Sequence, residues 1–148
     1  MAIWGYLAFG FAAGAMLPLQ FGINAELARW IESPVRAALV SFGVGTAVLL
    51  VAAIPLLRGL PEVGRLGAAP WWVWVGGGLG AFYVLGSIVA APRLGAATLV
   101  AVILAGQAAA SLLVDHFGWV GFEEHPVTPA RLLGVLLLAG GVLLVRAA

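Results

Sequence analysis

Residues 94–114 read LGAATLVAVILAGQAAASLLV, with no charged side chain. At 1.5 Å rise per residue, a helix of this length spans a hydrocarbon core of roughly 30 Å. Gln107 lies within the run, Ser111 follows four residues later, and Asp115 four later again. That spacing aligns all three on one helix face. An amide without a partner in lipid costs several kcal/mol, so the face must meet a protein surface or a polar cavity. Two readings of Gln107 and Ser111 follow. One is interhelical hydrogen bonding worth about 1 kcal/mol per bond; the other is a face turned toward a solute.

The rest of the composition agrees with a membrane setting. Of 148 residues, 64% are hydrophobic and 9% charged, against roughly 25% charged in soluble domains. The net charge of +1 leaves no basic footprint for nucleic acid. Cysteine is absent, which excludes disulfides, thiol chemistry and cysteine-held metals. The opening stretch to Asn24 has no charged side chain, and its apolar run exceeds a signal-peptide core, so it is read as a retained first span.

Five helical spans are predicted, over about 3–24, 34–57, 71–91, 94–114 and 130–146, forming one all-α integral membrane domain over 1–148. In the first span, Pro18 loosens the backbone beside Gln20 and Asn24, which are one turn apart; a site or hinge and a simple interfacial end are both open readings. Gly10 and Gly14 form a small-xxx-small pair. Residues 26–33 (ELARWIES) are expected to be a short solvated loop, with Ser33 capping the second span and Pro34 in its first turn. Ser41, Gly43, Gly45 and Thr46 fall inside that span, and Arg36 and Arg58 bracket it and can snorkel.

Gly and Pro punctuate a loop at 58–70, and Trp71, Trp72 and Trp74 then mark an interfacial anchor. Tyr83 and Ser87 form another polar pair one turn apart, with Tyr83 read either as a core aromatic or as a site wall. Pro92-Arg93 is expected to be a tight turn making an antiparallel hairpin of the third and fourth spans. The segment after Asp115 holds His116, Glu123, Glu124 and His125 at no metal-ligand spacing, and is expected to be a solvated loop. The last span has no polar side chain between Arg131 and Arg146. Its Gly134, Gly140 and Gly141 form a small face suited to dimer packing or to packing within the subunit.

With five spans the termini lie on opposite sides. Arg58, Arg65 and Arg131 share the side of the amino terminus; Arg29, Arg36, Arg93 and Arg146 lie on the other. Orientation requires an arginine and lysine bias, and these counts supply none. The expectation is insertion both ways up and an antiparallel homodimer. Untilted helices place Gln20 and Ser111 each roughly 10 Å from the midplane, on opposite sides of it. Inverting one copy levels its Gln20 with the other's Ser111, around a polar cavity of the kind that serves alternating access.

The order and spacing of Pro18-Leu19-Gln20, Asn24, Pro34, Ser41-Phe42, Gly45, Gly76-Gly77-Gly78, Gly80, Pro92 and Leu94-Gly95 carry a resemblance. Gly106-Gln107, Ser111-Leu112, Asp115, Gly118, Arg131, Gly134 and Gly141 continue it to the end of the chain. The whole chain resembles the short five-helix, YdcZ-like branch of the drug/metabolite transporter superfamily. The resemblance implies a multi-pass protein of the bacterial inner membrane, related by half to ten-helix transporters, with dual-topology homodimers among its members. Gln20, Asn24, Gln107 and Asp115 match the recurring polar positions; Arg36 departs from the pattern.

The expected function is secondary transport of a small metabolite or drug-like solute. Gln20 and Gln107 bind the solute, Asn24 and Ser111 form the mouths, and Ser41 and Tyr83 serve as walls. Asp115 is read either as a coupling carboxylate or as an ordinary helix-end acid. No span carries an acid at its middle, which disfavours exchange of organic cations against protons at a buried carboxylate and favours a neutral, zwitterionic or anionic solute. A passive channel for a small ion or neutral solute and a non-transporting membrane subunit are the alternatives. No enzyme constellation, cofactor or metal is expected. The expected partners are a second copy of the chain, the bilayer and the solute.

Overall fold

The computed structural model describes residues 3–54 and 67–147, and these are helical throughout apart from short connections. The elements are α1 (Ile3–Trp30), α2 (Pro34–Ala53), α3 (Val75–Phe117) and α4 (Pro129–Ala147), with 3-10 turns at Trp71–Trp74 and Trp119–Gly121. Among the described residues, four stretches are long and apolar enough to cross a membrane. The end of the second predicted span beyond Ile54 and the 58–66 part of the predicted loop, with Arg58 and Arg65, lie outside the described residues.

The structure corrects the first boundary. α1 runs six residues past Asn24, so ELARW is helix and not loop. Glu, Leu, Ala and Arg are strong helix formers, and Leu27 and Ala28 pack on a core of Ala37, Ala38, Val84 and Ile88. Arg29 also pairs with Glu26 at 2.9 Å on the exposed face. The helix stops where Glu32 turns left-handed (φ 51°). There the Ser33 N–H donates to the Ala28 carbonyl at 3.1 Å and the Glu32 N–H to the Arg29 carbonyl at 3.4 Å, a Schellman closure with glutamate in the usual glycine position. Ser33 then caps α2, its Oγ accepting from the Arg36 N–H at 3.3 Å, with Pro34 as the first helical residue. Thr128 and Pro129 start α4 the same way, Thr128 Oγ1 accepting from the Arg131 N–H at 3.3 Å.

The second correction concerns Pro92-Arg93. The helix continues through both, and the break lies at Gly95, whose φ of 73° and ψ of 166° are far from helical. Those angles belong to a region open essentially to glycine alone, so the backbone turns where the side chain is missing rather than where the proline stands.

Cα packing divides the chain into two compact units: Leu19–Pro92, and the stretch up to Pro18 together with Arg93 onward. In the Leu19–Pro92 unit the core is small-residue packing. Ala37 is fully buried and Ala38 nearly so, against Val84 and Ile88. Lipid tails are as apolar as these side chains, so close contact rather than water exclusion stabilises such a seam. In the other unit, α4 buries none of its residues.

Candidate functional site

In the Leu19–Pro92 unit, one face of α2 carries Ser41, Phe42, Gly45, Thr46 and Leu49 at helical spacing, small or polar residues interspersed with large apolar ones. With Gln20 of α1 and Val84 of α3 they line an open cavity of about 260 Å³. Gly45 keeps it open, since a Cβ there would meet nothing within 4 Å. Phe42 reaches across toward α3, where its Cζ lies 3.8 Å from the position a Cβ on Gly80 would take. One amide, two hydroxyls, one aromatic ring and aliphatic groups form the wall, without a charged side chain. Such a surface can hydrogen-bond and stack on a solute without demanding a counter-charge.

Gln20 and Ser41 are thus brought together. Thr46 and Phe42, to which the sequence assigns no site role, join them; the i, i+4 stripe of Ser41–Gly45 and Phe42–Thr46 is the signal that points to them. Asn24, expected at a mouth, is buried at 4% exposure. Tyr83 is half-buried, its ring edge-on to Phe21 at 6.1 Å between centroids. Ser87 is buried and donates to the Val84 carbonyl at 2.8 Å.

Gln107 and Ser111 belong to the other unit and are exposed on α3. The Ser111 hydroxyl donates back to the Ala108 carbonyl at 2.9 Å. Gly134 and Gly141, with Ala101, Leu104 and four aliphatic residues of α4, line an apolar groove of about 350 Å³. A Cβ on Gly134, Gly140 or Gly141 would meet nothing within 4 Å, so no neighbour among the described residues uses the close approach that these glycines permit.

Asp115 has a definite partner. Its Oδ2 accepts from Arg131 Nη2 at 2.8 Å, Arg131 Nη1 donates to the His125 carbonyl at 3.1 Å, and the His125 N–H donates to the Asp115 carbonyl at 2.6 Å. The Val127 N–H donates to His116 Nδ1 at 3.3 Å, and Phe117 stacks on Trp119 at 4.9 Å. The segment is exposed and non-helical over 122–128, as expected of a solvated loop, and these bonds also clip α3 to α4. Gly118, at φ 59°, makes the turn possible, because a Cβ there would lie 3.3 Å from the Phe122 carbonyl oxygen. The Asp115 and Arg131 side chains are 27% and 38% exposed, so solvent screening limits the pair to about 1–2 kcal/mol. Asp115→Ala and Arg131→Ala are each expected to lower Tm in detergent by roughly 3–6 °C, and the double variant to fall little further. Fully additive losses would show that the two residues act separately.

Residues 5–144 match the family model described as "Putative inner membrane exporter, YdcZ". Inner membrane protein YdcZ of Escherichia coli (strain K12) is 33% identical over 146 residues, which span 95% of this chain and 94% of that protein. No solved structure gives a significant match.

Proposed function

Because the chain belongs to the YdcZ-like branch of the drug/metabolite transporter superfamily and is a multi-pass inner-membrane protein, we propose that it is a secondary transporter of a small, uncharged or zwitterionic solute. The observation that carries this reading is the charge-free cavity in whose largely apolar wall Gln20, Ser41 and Thr46 set polar groups. With no acid or base in its wall, it offers hydrogen bonds and an aromatic face, the mix by which small-molecule pockets orient their ligands.

The working form is an inverted pair of five-span protomers. α3 has 43 residues, about 65 Å of helix and twice what one crossing needs; the break at Gly95 leaves 20 residues before it and 22 after, one crossing each. The near-balanced arginine count, three against four, favours insertion in both orientations. The open glycine groove on α4 favours a close helix neighbour from the second copy. In that pair Gln107 and Ser111 are shielded from acyl chains by the partner and line the solute path, and movement of solute follows alternating access. Asp115 acts in the clip and not as the coupling group. No reaction chemistry is assigned to the protein.

A thermal-shift screen of purified protein against neutral metabolites and drug-like solutes, followed by flux into proteoliposomes, tests the proposal. A carrier shows saturable flux and counterflow; unsaturated flux without counterflow makes the protein a channel. Reporters fused to the C-terminus are expected to signal from both faces of the membrane, and signal from one face alone ends the inverted pair.

A further inference from the structure

The Leu19–Pro92 unit contains two polar atoms whose hydrogen-bonding capacity is unused. Asn24 Nδ2 and Tyr83 Oη are both shielded and have no hydrogen-bond partner among the described residues. Ser87, buried in the same unit, does satisfy its hydroxyl, on the Val84 carbonyl. The unit can therefore serve a buried hydroxyl, and these two groups stand apart from it. A donor left unpaired in an apolar setting is costly; such groups persist where a ligand or a water completes them.

Their placement ties them to the cavity. Asn24 follows Gln20 by one helical turn on α1, about 6 Å along the axis. Tyr83 precedes Val84 on α3, and Gln20 and Val84 both line the cavity. Phe21, 1% exposed, lies between the two groups in register: three residues before Asn24 on the same face, and in edge contact with the Tyr83 ring. Resting on the transporter reading above, we propose that Asn24 and Tyr83 form an occluded subsite beside the Gln20 cavity that receives a hydrogen-bond acceptor, a carbonyl oxygen, of an otherwise uncharged solute. The Asn24 amide N–H and the Tyr83 O–H donate to it. Gln20, Ser41 and Thr46 hold the solute's remaining polar groups, and Phe21 moves aside on entry. The selected class is the neutral amide or other carbonyl compound, and an acceptor-free hydrocarbon of equal shape is rejected.

The test uses N,N-dimethylbenzamide and its acceptor-free counterpart isobutylbenzene on the purified full chain. The amide is expected to raise the wild-type Tm, and isobutylbenzene to bind at least tenfold more weakly. Tyr83→Phe deletes only the unpaired hydroxyl, whereas Asn24→Leu removes the unpaired amide nitrogen together with its oxygen, so Tyr83→Phe is expected to keep or raise the Tm of the solute-free protein by a few degrees, and both variants to weaken amide binding about tenfold. A lower solute-free Tm in Tyr83→Phe, which loses a single oxygen, would mean the hydroxyl has a structural partner and would overturn the proposal. Unchanged amide affinity in both variants, or no stabilisation of wild type by the amide, would overturn it as well. The broader reading is tested separately: Gln20→Ala is expected to lose solute flux whatever Asn24 does, and full flux in Gln20→Ala removes the cavity's role in transport.

Discussion

Gly95→Val is expected to abolish recovery of folded protein from the membrane. Gly95 holds φ 73° and ψ 166° in the middle of the longest helical element. A side chain in that region costs about 1–3 kcal/mol, and a β-branched one is at the upper end. No atom lies within 4 Å of a Cβ at this position, so the loss comes from backbone strain and not from a clash. Relief of the strain would straighten the chain into a helix that one bilayer cannot hold. Gly95→Ala is expected to fall between valine and wild type. Gly106→Ala is the control, since Gly106 is helical, has the same open surroundings and should gain about 0.5–1 kcal/mol from alanine. Monodisperse yield and Tm in detergent read the series. Equal behaviour of Gly95→Val and Gly106→Ala would mean that the backbone break is absent in the bilayer.

Ser41→Trp is expected to reduce solute flux about a hundredfold, equivalent to ~2.7 kcal/mol, at near wild-type yield. Ser41 opens directly onto the cavity of about 260 Å³, and an indole there takes up the space a solute needs. The side chain is half-buried at the cavity rim and not locked in the Ala37–Ala38 seam, so folding tolerates the change better than binding does. Leu50→Trp provides the comparison: it adds a similar ring to an exposed position of α2 outside the cavity lining and is expected to leave flux intact. Flux measured per folded protein decides the matter. Undiminished flux in Ser41→Trp would move the solute path elsewhere.

Local chemistry was readable from the residues alone, and contacts between distant residues were not. Ser33-Pro34 and Thr128-Pro129 announced helix starts because a cap depends on neighbours three residues away. The end of α1 was misread because Leu27 and Ala28 are held by residues of α2 and α3, and hydropathy alone separates an interfacial helix from a loop poorly. Pro92 drew the eye as a breaker, yet a proline can remain in a membrane helix while a glycine three residues later takes the turn. In the site, Gln20 and Ser41 stand out in the sequence as polar positions on apolar helices, and both line one cavity. Asn24 looked like an entrance because it stands near the end of an apolar run. It is instead buried inside α1, which runs on to Trp30. Asp115 and Arg131 are 16 residues apart, and nothing in a local pattern couples them.

The back-bonded serine on α3 sets a rule of polarity for anything that approaches it. Ser111 has already given its proton to its own helix, at Ala108, and retains only lone pairs. It is therefore blind to carbonyls and carboxylates and answers only to N–H or O–H groups. A glutamine amide satisfies that rule through its hydrogens, and so does an amino group. This stretch of α3 is thus a receptor for hydrogens and passes over any group that offers oxygens alone.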